Sequence, residues 1–193
     1  MKQDLILTIN PGSTSTKIGV FRSTERLMEK TIRHSAEELA PFKKITDQYN
    51  YRKETIIRAL QEAEVDLSSI CIVMGRGGLI KPVPSGVFEV NDRMEKDLRA
   101  GLMGEHASNL GGLIARDIAK MIPGARAFIA DPVVVDEMED VARVAGHPAF
   151  QRYCVWHALN QKAIARLHAE KIEKPNEELS LIVVPLRAGI RVG

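Results

Sequence analysis

The fold is decided by one stretch near the start of the chain, residues 5–21, which reads Leu5-Ile6-Leu7-Thr8-Ile9-Asn10-Pro11-Gly12-Ser13-Thr14-Ser15-Thr16-Lys17-Ile18-Gly19-Val20-Phe21. Residues 5–9 are an apolar, β-rich run that stops at the turn-forming residues 10–12, and a second β-like run follows at 16–21. Two such runs separated by a loop of glycine, serine and threonine predict a hairpin with a polar tip.

Beyond this hairpin, predicted buried strands alternate with predicted helices along the rest of the chain. Short, continuously apolar runs predict further strands at 70–74, 127–130 and 179–184. One-sided apolar spacing predicts helices around 56–64, 92–100, 108–121, 138–146 and 156–171. Prolines and glycine in 79–91 predict turns and a short edge hairpin. This alternation indicates an α/β domain.

Composition bounds the function. The 193 residues are 45% hydrophobic and 27% charged, which excludes a disordered chain. The net charge of +2 gives no strong field to recruit nucleic acid or an anionic membrane. No apolar run approaches the roughly 18 residues that span a bilayer, and the first residues lack a signal peptide. Cys71 and Cys154 lie far apart in apolar contexts, which favours buried, reduced thiols over a disulfide or a metal site. We therefore expect a cytoplasmic protein.

Four polar clusters follow predicted strands, where open α/β sheets bind their ligands. In the first, the loop 10–17, glycine permits close backbone approach, Ser13 and Ser15 offer hydroxyls, and Lys17 adds positive charge, which suits phosphate. The same composition is also typical of a plain β-turn. It is not a Walker A loop, because a strand follows instead of a helix.

The second cluster is Gly75-Arg76-Gly77-Gly78. Its glycines predict an exposed guanidinium whose planar fork suits a carboxylate or phosphate. The alternative is a flexible loop with a solvated arginine.

In the third cluster, residues 104–109, Ser108 or Asn109 suits the N-cap of the next helix, a role that leaves His106 unexplained.

The fourth cluster begins at Asp131, whose carboxylate suits a metal, an oriented nucleophile or a proton. The alternative is that Asp131 caps a helix starting at Pro132. His157, beside a tryptophan, is by itself as compatible with a core position as with a catalytic one.

Five segments together resemble the butyrate kinases, in the acetate kinase branch of the sugar kinase, actin and heat-shock chaperone superfamily. They read ILTINPGSTSTKIGVF, MGRGGLIKPVPSG, GEHASNLGGLIAR, FIADPVVVDEMEDVAR and WHALNQKA, and occur in order over nearly the whole chain. The resemblance implies an actin-like, ribonuclease H-like ATPase lobe with a mixed sheet and flanking helices. It also implies the reversible reaction of ATP with butanoate, or a related short carboxylate, to give ADP and the acyl phosphate, with Mg²⁺.

The resemblance implies a role for residues in each segment. Asn10, Ser13 and Ser15 match a phosphate loop, beside which Lys17 supplies charge. Arg76 matches the arginine that holds the carboxylate or acyl phosphate. Asp131 matches an aspartate beside the carboxylate and metal, and His157 a histidine that stabilises the transferring phosphoryl group. His106 matches a further active-site histidine.

The resemblance also implies two lobes. Residues 1–150 match the first, carboxylate-side lobe, and residues 151–193 match the helix that leads into a second lobe together with that lobe's first strand. Residues 185–193 depart from the family's glycine-rich phosphate loop, with Pro185 in place of a histidine and Arg187 in place of a glycine. We therefore expect the second lobe to be largely missing and the chain to be inactive alone. An exposed strand edge there favours self-association.

The sequence leaves two alternative functions open. One is a non-catalytic remnant or interaction module that retains a carboxylate pocket. The other is a kinase for a different short carboxylate, such as acetate, or for a sugar, because pocket shape sets the acyl length.

Overall fold

The computed structural model describes residues 4–154 and 158–183. The described strands are β1 (Leu5–Pro11), β2 (Ser15–Arg22), β3 (Glu25–Arg33), β4 (Ile70–Arg76), β5 (Val87–Glu89) and β6 (Arg126–Ala130). They form one six-stranded sheet in the order β3-β2-β1-β4-β6-β5. Strands β1, β4 and β6 are parallel neighbours, and the remaining pairings are antiparallel. The predicted mixed sheet is confirmed.

Five α-helices lie within the described residues: α1 (Ala36–Leu39), α2 (Tyr49–Glu62), α3 (Asp92–Ala100), α4 (Asn109–Lys120) and α5 (Ala158–Lys171). Single 3₁₀ turns occur at Ile45–Gln48, Leu67–Ser69, Asp140–Arg143 and Asn176–Glu178. Helix α3 illustrates how local sequence sets its bounds. The Asn91 side chain accepts a hydrogen bond from the Met94 N–H at its start, and Gly101 adopts a left-handed φ of 60° at its end.

The hydrophobic core lies between one face of the sheet and the helices. Alternate residues of β1, among them Leu7 and Ile9, point into it and are buried. Helix α4 packs across β1, β4 and β6, and most of its residues are buried, including Leu110 and Ile114. This packing fixes the three parallel strands against one helix.

The other face of the sheet carries the polar residues. In β1 these are Thr8 and Asn10, which alternate with the buried apolar residues. Thr8 is level with Met74 of β4, and Arg76 at the end of β4 is level with Ala130 of β6. Because β1, β4 and β6 run parallel, their carboxyl ends meet at one edge of the sheet, where the first, second and fourth polar clusters begin. The third cluster, residues 104–109, follows helix α3, so the expectation that it follows a strand is wrong.

Most predicted elements are confirmed: the opening hairpin, the strands at 70–74 and 127–130, and the helices around 56–64, 92–100, 108–121 and, for residues 158–171, the last one. The segment 79–91 contributes a short strand, β5, whose partner is β6 rather than a neighbour within the segment. Strand β3 went unpredicted because it is an edge strand with most side chains exposed and no apolar alternation to mark it.

Two predicted elements are wrong. The helix at 138–146 is a single 3₁₀ turn, and Val141, expected on its buried face, is 74% exposed. Over residues 179–183, the described part of the strand predicted at 179–184, the chain forms no strand, and Ile182 is 93% exposed. A strand needs a neighbour for its backbone hydrogen bonds, and none lies beside this segment among the described residues.

Cys71 and Cys154 are both free thiols. Cys154 is buried, as predicted, whereas Cys71 is only partly buried, so the burial predicted for Cys71 is wrong. Among the described residues, no helix combines the length and apolar character needed to cross a membrane.

Candidate functional site

A cleft of about 430 Å³ opens at the carboxyl ends of β1, β4 and β6. Three residues singled out from the sequence line it, each at the carboxyl end of a different strand: Asn10, Arg76 and Asp131. The other lining residues are Thr8, Ile9, Met74, Gly75, Ala130 and Asn160. Clusters separated by more than 50 residues in the sequence therefore share one wall of one cavity.

Arg76 lies at the centre of this cleft. Its Nη1 donates to the Asn10 Oδ1 at 3.4 Å. Burial lowers the pKa of Arg76, while the charge of Asp131 raises it. A guanidinium remains cationic under both effects, so the cleft holds a half-buried positive charge with a carboxylate nearby. The flexible, solvated loop considered as the alternative for Arg76 is wrong.

The glycines around Arg76 serve close packing rather than mere exposure. A Cβ on Gly75 would lie 2.3 Å from the Gly111 carbonyl oxygen of α4, and a Cβ on Gly77 would lie 2.7 Å from the Pro132 ring. Side chains at these positions would push β4 away from its neighbours. The two contacts hold Arg76 on a fixed backbone at the strand end.

Asp131 follows β6 with a left-handed φ of 53°, which aspartate tolerates better than most residues. Its Oδ1 accepts a hydrogen bond from the Leu159 N–H at 3.1 Å, in the first turn of α5. Asp131 thus caps a helix 28 residues away. The alternative that it caps a helix starting at Pro132 is wrong, because no helix begins there.

Two of the phosphate-loop candidates, Ser13 and Ser15, have their carbonyl groups turned toward one buried side chain, Arg52 of α2, which has no exposed surface. Its Nη1 donates to the oxygens of Gly12 at 2.8 Å and Ser15 at 3.1 Å. Its Nη2 donates to the Ser13 oxygen at 2.9 Å. Three hydrogen bonds from Arg52 therefore hold residues 12–15 in place, which a turn stabilised only by its own backbone would lack.

A second buried side chain, His34, supports the same loop. Its Nε2 lies 2.9 Å from the Thr16 Oγ1, and its Nδ1 lies 3.3 Å from the Tyr51 Oη. Arg52 Nη1 also donates to the Thr16 Oγ1, at 3.1 Å. Arginine can only donate, so the Thr16 Oγ1 accepts from Arg52, and the Thr16 hydroxyl can in turn donate to an unprotonated His34 Nε2. Burial and, secondarily, the charge of Arg52 lower the pKa of His34, in keeping with a neutral ring.

The remaining candidates of the first loop lie beside the cleft rather than in its lining. Ser13, Ser15 and Lys17 are not among the lining residues. Lys17 is opposite Asn10 in the β1–β2 pairing, so both project from the same sheet face. Its Nζ is 3.1 Å from the Glu29 carboxylate, and this ion pair lowers the pKa of Glu29.

The third cluster, 104–109, is also outside the lining. Exposed His106 accepts at Nδ1 from the Ser108 N–H at 3.2 Å and lies 2.8 Å from the Ser108 Oγ. Ser108 is the N-cap residue of α4, as predicted, but its side chain makes no capping hydrogen bond. Instead the buried Asn109 side chain accepts from the Leu79 N–H at 2.8 Å and donates to the Gly104 oxygen at 2.9 Å. It joins two loops near the sheet edge.

His157 lies outside the described residues, so its predicted role stays a prediction. Within residues 4–154 and 158–183, no group of three or more His, Cys, Asp or Glu side chains is placed to hold a metal ion. Asp131 by itself fits Mg²⁺, which commonly takes one carboxylate together with substrate phosphates and water.

Two residues of the site were not predicted. Asn160 reaches the cleft from α5, and its only signal was its place in the WHALNQKA segment. Arg52 had a clearer one: it stands four residues before Ile56, in line with Leu60, on the apolar face of α2. A charged side chain on the buried face of a helix requires hydrogen-bond acceptors around it, so its position predicts a specific set of partners.

The chain is similar to two butyrate kinases of Clostridium acetobutylicum. Butyrate kinase 2 is 50% identical over 188 residues, which cover 97% of this chain and 52% of that protein. Butyrate kinase 1 is 51% identical over 188 residues, covering 97% and 53%. The chain spans about half the length of these curated relatives. The predicted resemblance to the butyrate kinases is confirmed, although no protein-family model matches the chain.

Solved structures show the same fold. Porphyromonas gingivalis acetate kinase has a TM-score of 0.61 and 14% identity, covering 91% of this chain and 50% of that one. A propionate kinase from Francisella tularensis has a TM-score of 0.53 and 14% identity, covering 90% and 50%. The predicted actin-like ATPase lobe is confirmed as the fold.

Proposed function

We propose that the chain forms the carboxylate- and phosphate-binding part of a butyrate kinase-type phosphotransferase, which converts ATP and butanoate to ADP and butanoyl phosphate. The observation that carries this proposal is the convergence of Asn10, Arg76 and Asp131 on one cleft at the ends of three parallel strands. The likeness to two butyrate kinases supports butanoate as the acceptor.

In this proposal Arg76 binds the substrate carboxylate. Its half-buried guanidinium offers two parallel N–H donors, which match the two oxygens of a carboxylate. Asn10 accepts from one of its nitrogens and orients it. Met74 and Ala130 supply apolar lining for a short alkyl chain.

The transfer needs positioning and charge neutralisation more than proton chemistry. Butanoate is already ionised at neutral pH, so its oxygen attacks the γ-phosphorus without a general base. One oxygen–phosphorus bond forms, the bond to ADP breaks, and no proton moves. Arg76 and the loop after β1, with Lys17 beside it, are the cationic and donor groups available for the transferring phosphoryl group.

Mg²⁺, held by Asp131 together with the nucleotide phosphates, would neutralise charge on the phosphoryl oxygens. Asp131 itself stays bound to the start of α5, which brings Asn160 to the same cleft. His157, three residues before Asn160, is assigned by the resemblance to the transferring phosphoryl group. His106 remains a further candidate for the substrate on the same grounds.

The test is butanoate binding by isothermal titration calorimetry, with and without ATP and Mg²⁺. We expect wild-type binding, and at least a tenfold weaker affinity in Arg76→Lys, because lysine cannot form the bidentate contact. Arg126→Lys is the matched control, since Arg126 is an exposed arginine paired with Glu89 away from the cleft. Absence of butanoate binding, or equal losses in both variants, would overturn the proposal.

A hydroxamate assay with butanoate, ATP and Mg²⁺ on the same protein measures turnover separately. We expect little or no acyl phosphate from the chain by itself. Formation of butanoyl hydroxamate at a rate that Arg76→Lys abolishes would overturn that expectation and strengthen the assignment of Arg76.

A further inference from the structure

We propose that Arg52 is the positioning residue of the loop 12–15: it draws the loop's carbonyl groups inward and so leaves the loop's donors for an anion. The inference rests on the proposed function in one respect, that the anion bound there is a phosphate group. Arg52 itself is not among the residues that line the cleft, so in this proposal it acts only through the loop.

In this loop the backbone acceptors are paired, whereas two backbone donors are not. All four of its carbonyl oxygens are occupied: those of Gly12, Ser13 and Ser15 accept from Arg52, and that of Thr14 accepts from the His34 N–H at 2.9 Å. Within the described residues, the N–H groups of Ser13 and Thr14 form no hydrogen bond. Both residues are exposed.

A loop whose acceptors are paired and whose donors are unpaired is suited to bind an anion. Its acceptors, which would repel a phosphate oxygen, face a buried cation, while its unpaired N–H and hydroxyl groups are accessible to solvent. Successive backbone N–H groups in a turn form a concave site for anions. An ordinary turn of the same composition would keep some carbonyls exposed and could satisfy its own donors.

The charge of Arg52 adds to this effect. Its Nε and Nη2 both donate to the Gln48 Oε1, at 3.0 and 2.8 Å, and no carboxylate among the described residues pairs with it. Every acceptor around the guanidinium is neutral. A buried arginine without an acidic partner costs desolvation energy, and here its field is directed at the loop.

The experiment follows the Ser13 and Thr14 amide signals of ¹⁵N-labelled chain during titration with inorganic phosphate, against chloride at equal ionic strength. In wild type we expect saturable shifts at both amides. Arg52→Lys keeps the positive charge but offers one nitrogen where the guanidinium uses three. We expect its phosphate affinity to fall at least tenfold.

Hydrogen exchange of the Gly75 and Arg76 amides in the same samples separates positioning from general loosening. We expect these amides to stay protected in Arg52→Lys, since β4 does not touch the loop's carbonyls. A phosphate affinity equal to wild type would overturn the inference. So would a loss of affinity matched by a loss of protection in β4, because that result means a purely structural role.

Gln48→Met serves if Arg52→Lys does not fold. It removes the Gln48 Oε1 that aligns the guanidinium and leaves Arg52 in place, so we expect phosphate affinity about threefold weaker, and unchanged affinity would overturn the inference. The two proposals fail differently. Phosphate shifts at the loop without butanoate binding leave the Arg52 inference standing and remove the carboxylate kinase. Butanoate binding without phosphate-induced shifts at the loop overturns the Arg52 inference and leaves the proposed carboxylate kinase standing.

Discussion

The Asp131 carboxylate accepts a hydrogen bond from the Leu159 N–H at 3.1 Å, and so joins the end of strand β6 to the start of helix α5. Asp131 therefore stabilises the start of α5 in addition to the metal- and substrate-binding role proposed for it. The first-turn N–H groups of a helix lack partners within the helix, and a carboxylate satisfies them while complementing the helix dipole. Asn160, the next residue of α5, lines the cleft as a result.

We expect Asp131→Gly to loosen the first turn of α5. Glycine adopts the left-handed φ without strain, so the change removes the carboxylate, and with it the hydrogen bond to Leu159, without distorting the backbone. Loss of an N-cap costs about 1 kcal/mol, which corresponds to about fivefold faster hydrogen exchange at the Leu159 and Asn160 amides.

Asp131→Asn separates the two duties of this residue. It keeps an oxygen acceptor and tolerates the same φ, so we expect exchange in α5 close to wild type, while Mg²⁺-dependent nucleotide binding is lost. If exchange at Leu159 accelerates as much in Asn as in Gly, the helix depends on the negative charge rather than on the hydrogen bond.

We expect Gly75→Ala to destabilise the fold by about 3 kcal/mol. The new Cβ would lie 2.3 Å from the Gly111 carbonyl oxygen, and backbone on both sides cannot yield cheaply. Urea unfolding followed by circular dichroism measures the change as a lower midpoint. Gly146→Ala is the control, because a Cβ there meets nothing within 4 Å and its effect should stay within about 0.5 kcal/mol. Equal midpoints for the two variants would contradict the close packing of β4 on α4.

We expect the loop after β1 to make stability depend on pH through His34. Its pKa is lowered in the fold by burial and by Arg52, so the unfolded chain binds a proton that the folded chain resists. Stability is then fully present above the ordinary pKa of about 6.5 and falls as the pH drops below it, by at most about 1.4 kcal/mol per pH unit.

Urea unfolding between pH 8 and pH 5 measures this dependence. His34→Gln should flatten the acid limb, whereas His168→Gln, at an exposed position in α5, should leave it unchanged. An acid limb as steep in His34→Gln as in wild type would assign the effect to other groups.

The elements that the sequence predicted best are those whose signal is local. The apolar runs of β1 and β4 and the apolar stripe of α4 each indicate burial through side chains a few residues apart, and the packed core contains these same side chains. The prediction of a helix at 138–146 failed because apolar spacing alone does not provide a surface to pack against, and Val141 is 74% exposed in the structure. Strand β3 was missed because an exposed edge needs no apolar pattern.

The same division runs through the candidate site. Asn10, Arg76 and Asp131 could be selected from the sequence because each follows a strand, and parallel strands deliver their carboxyl ends to one edge. The partners of these residues could not be selected. Arg52 lies 40 residues from the Gly12 oxygen that it binds, and Leu159 lies 28 residues from Asp131.

The sequence alone therefore determined most of the strands, the main helices and the strand ends at which chemistry is expected, since these depend on local periodicity and on the geometry of parallel strands. Only the tertiary structure decided which groups face the cleft, that the glycines around Arg76 are packing contacts, and that a buried cation pins the loop after β1. The reason is physical: hydrogen bonds and close contacts between distant segments depend on ångström-scale placement, which a periodic pattern does not encode.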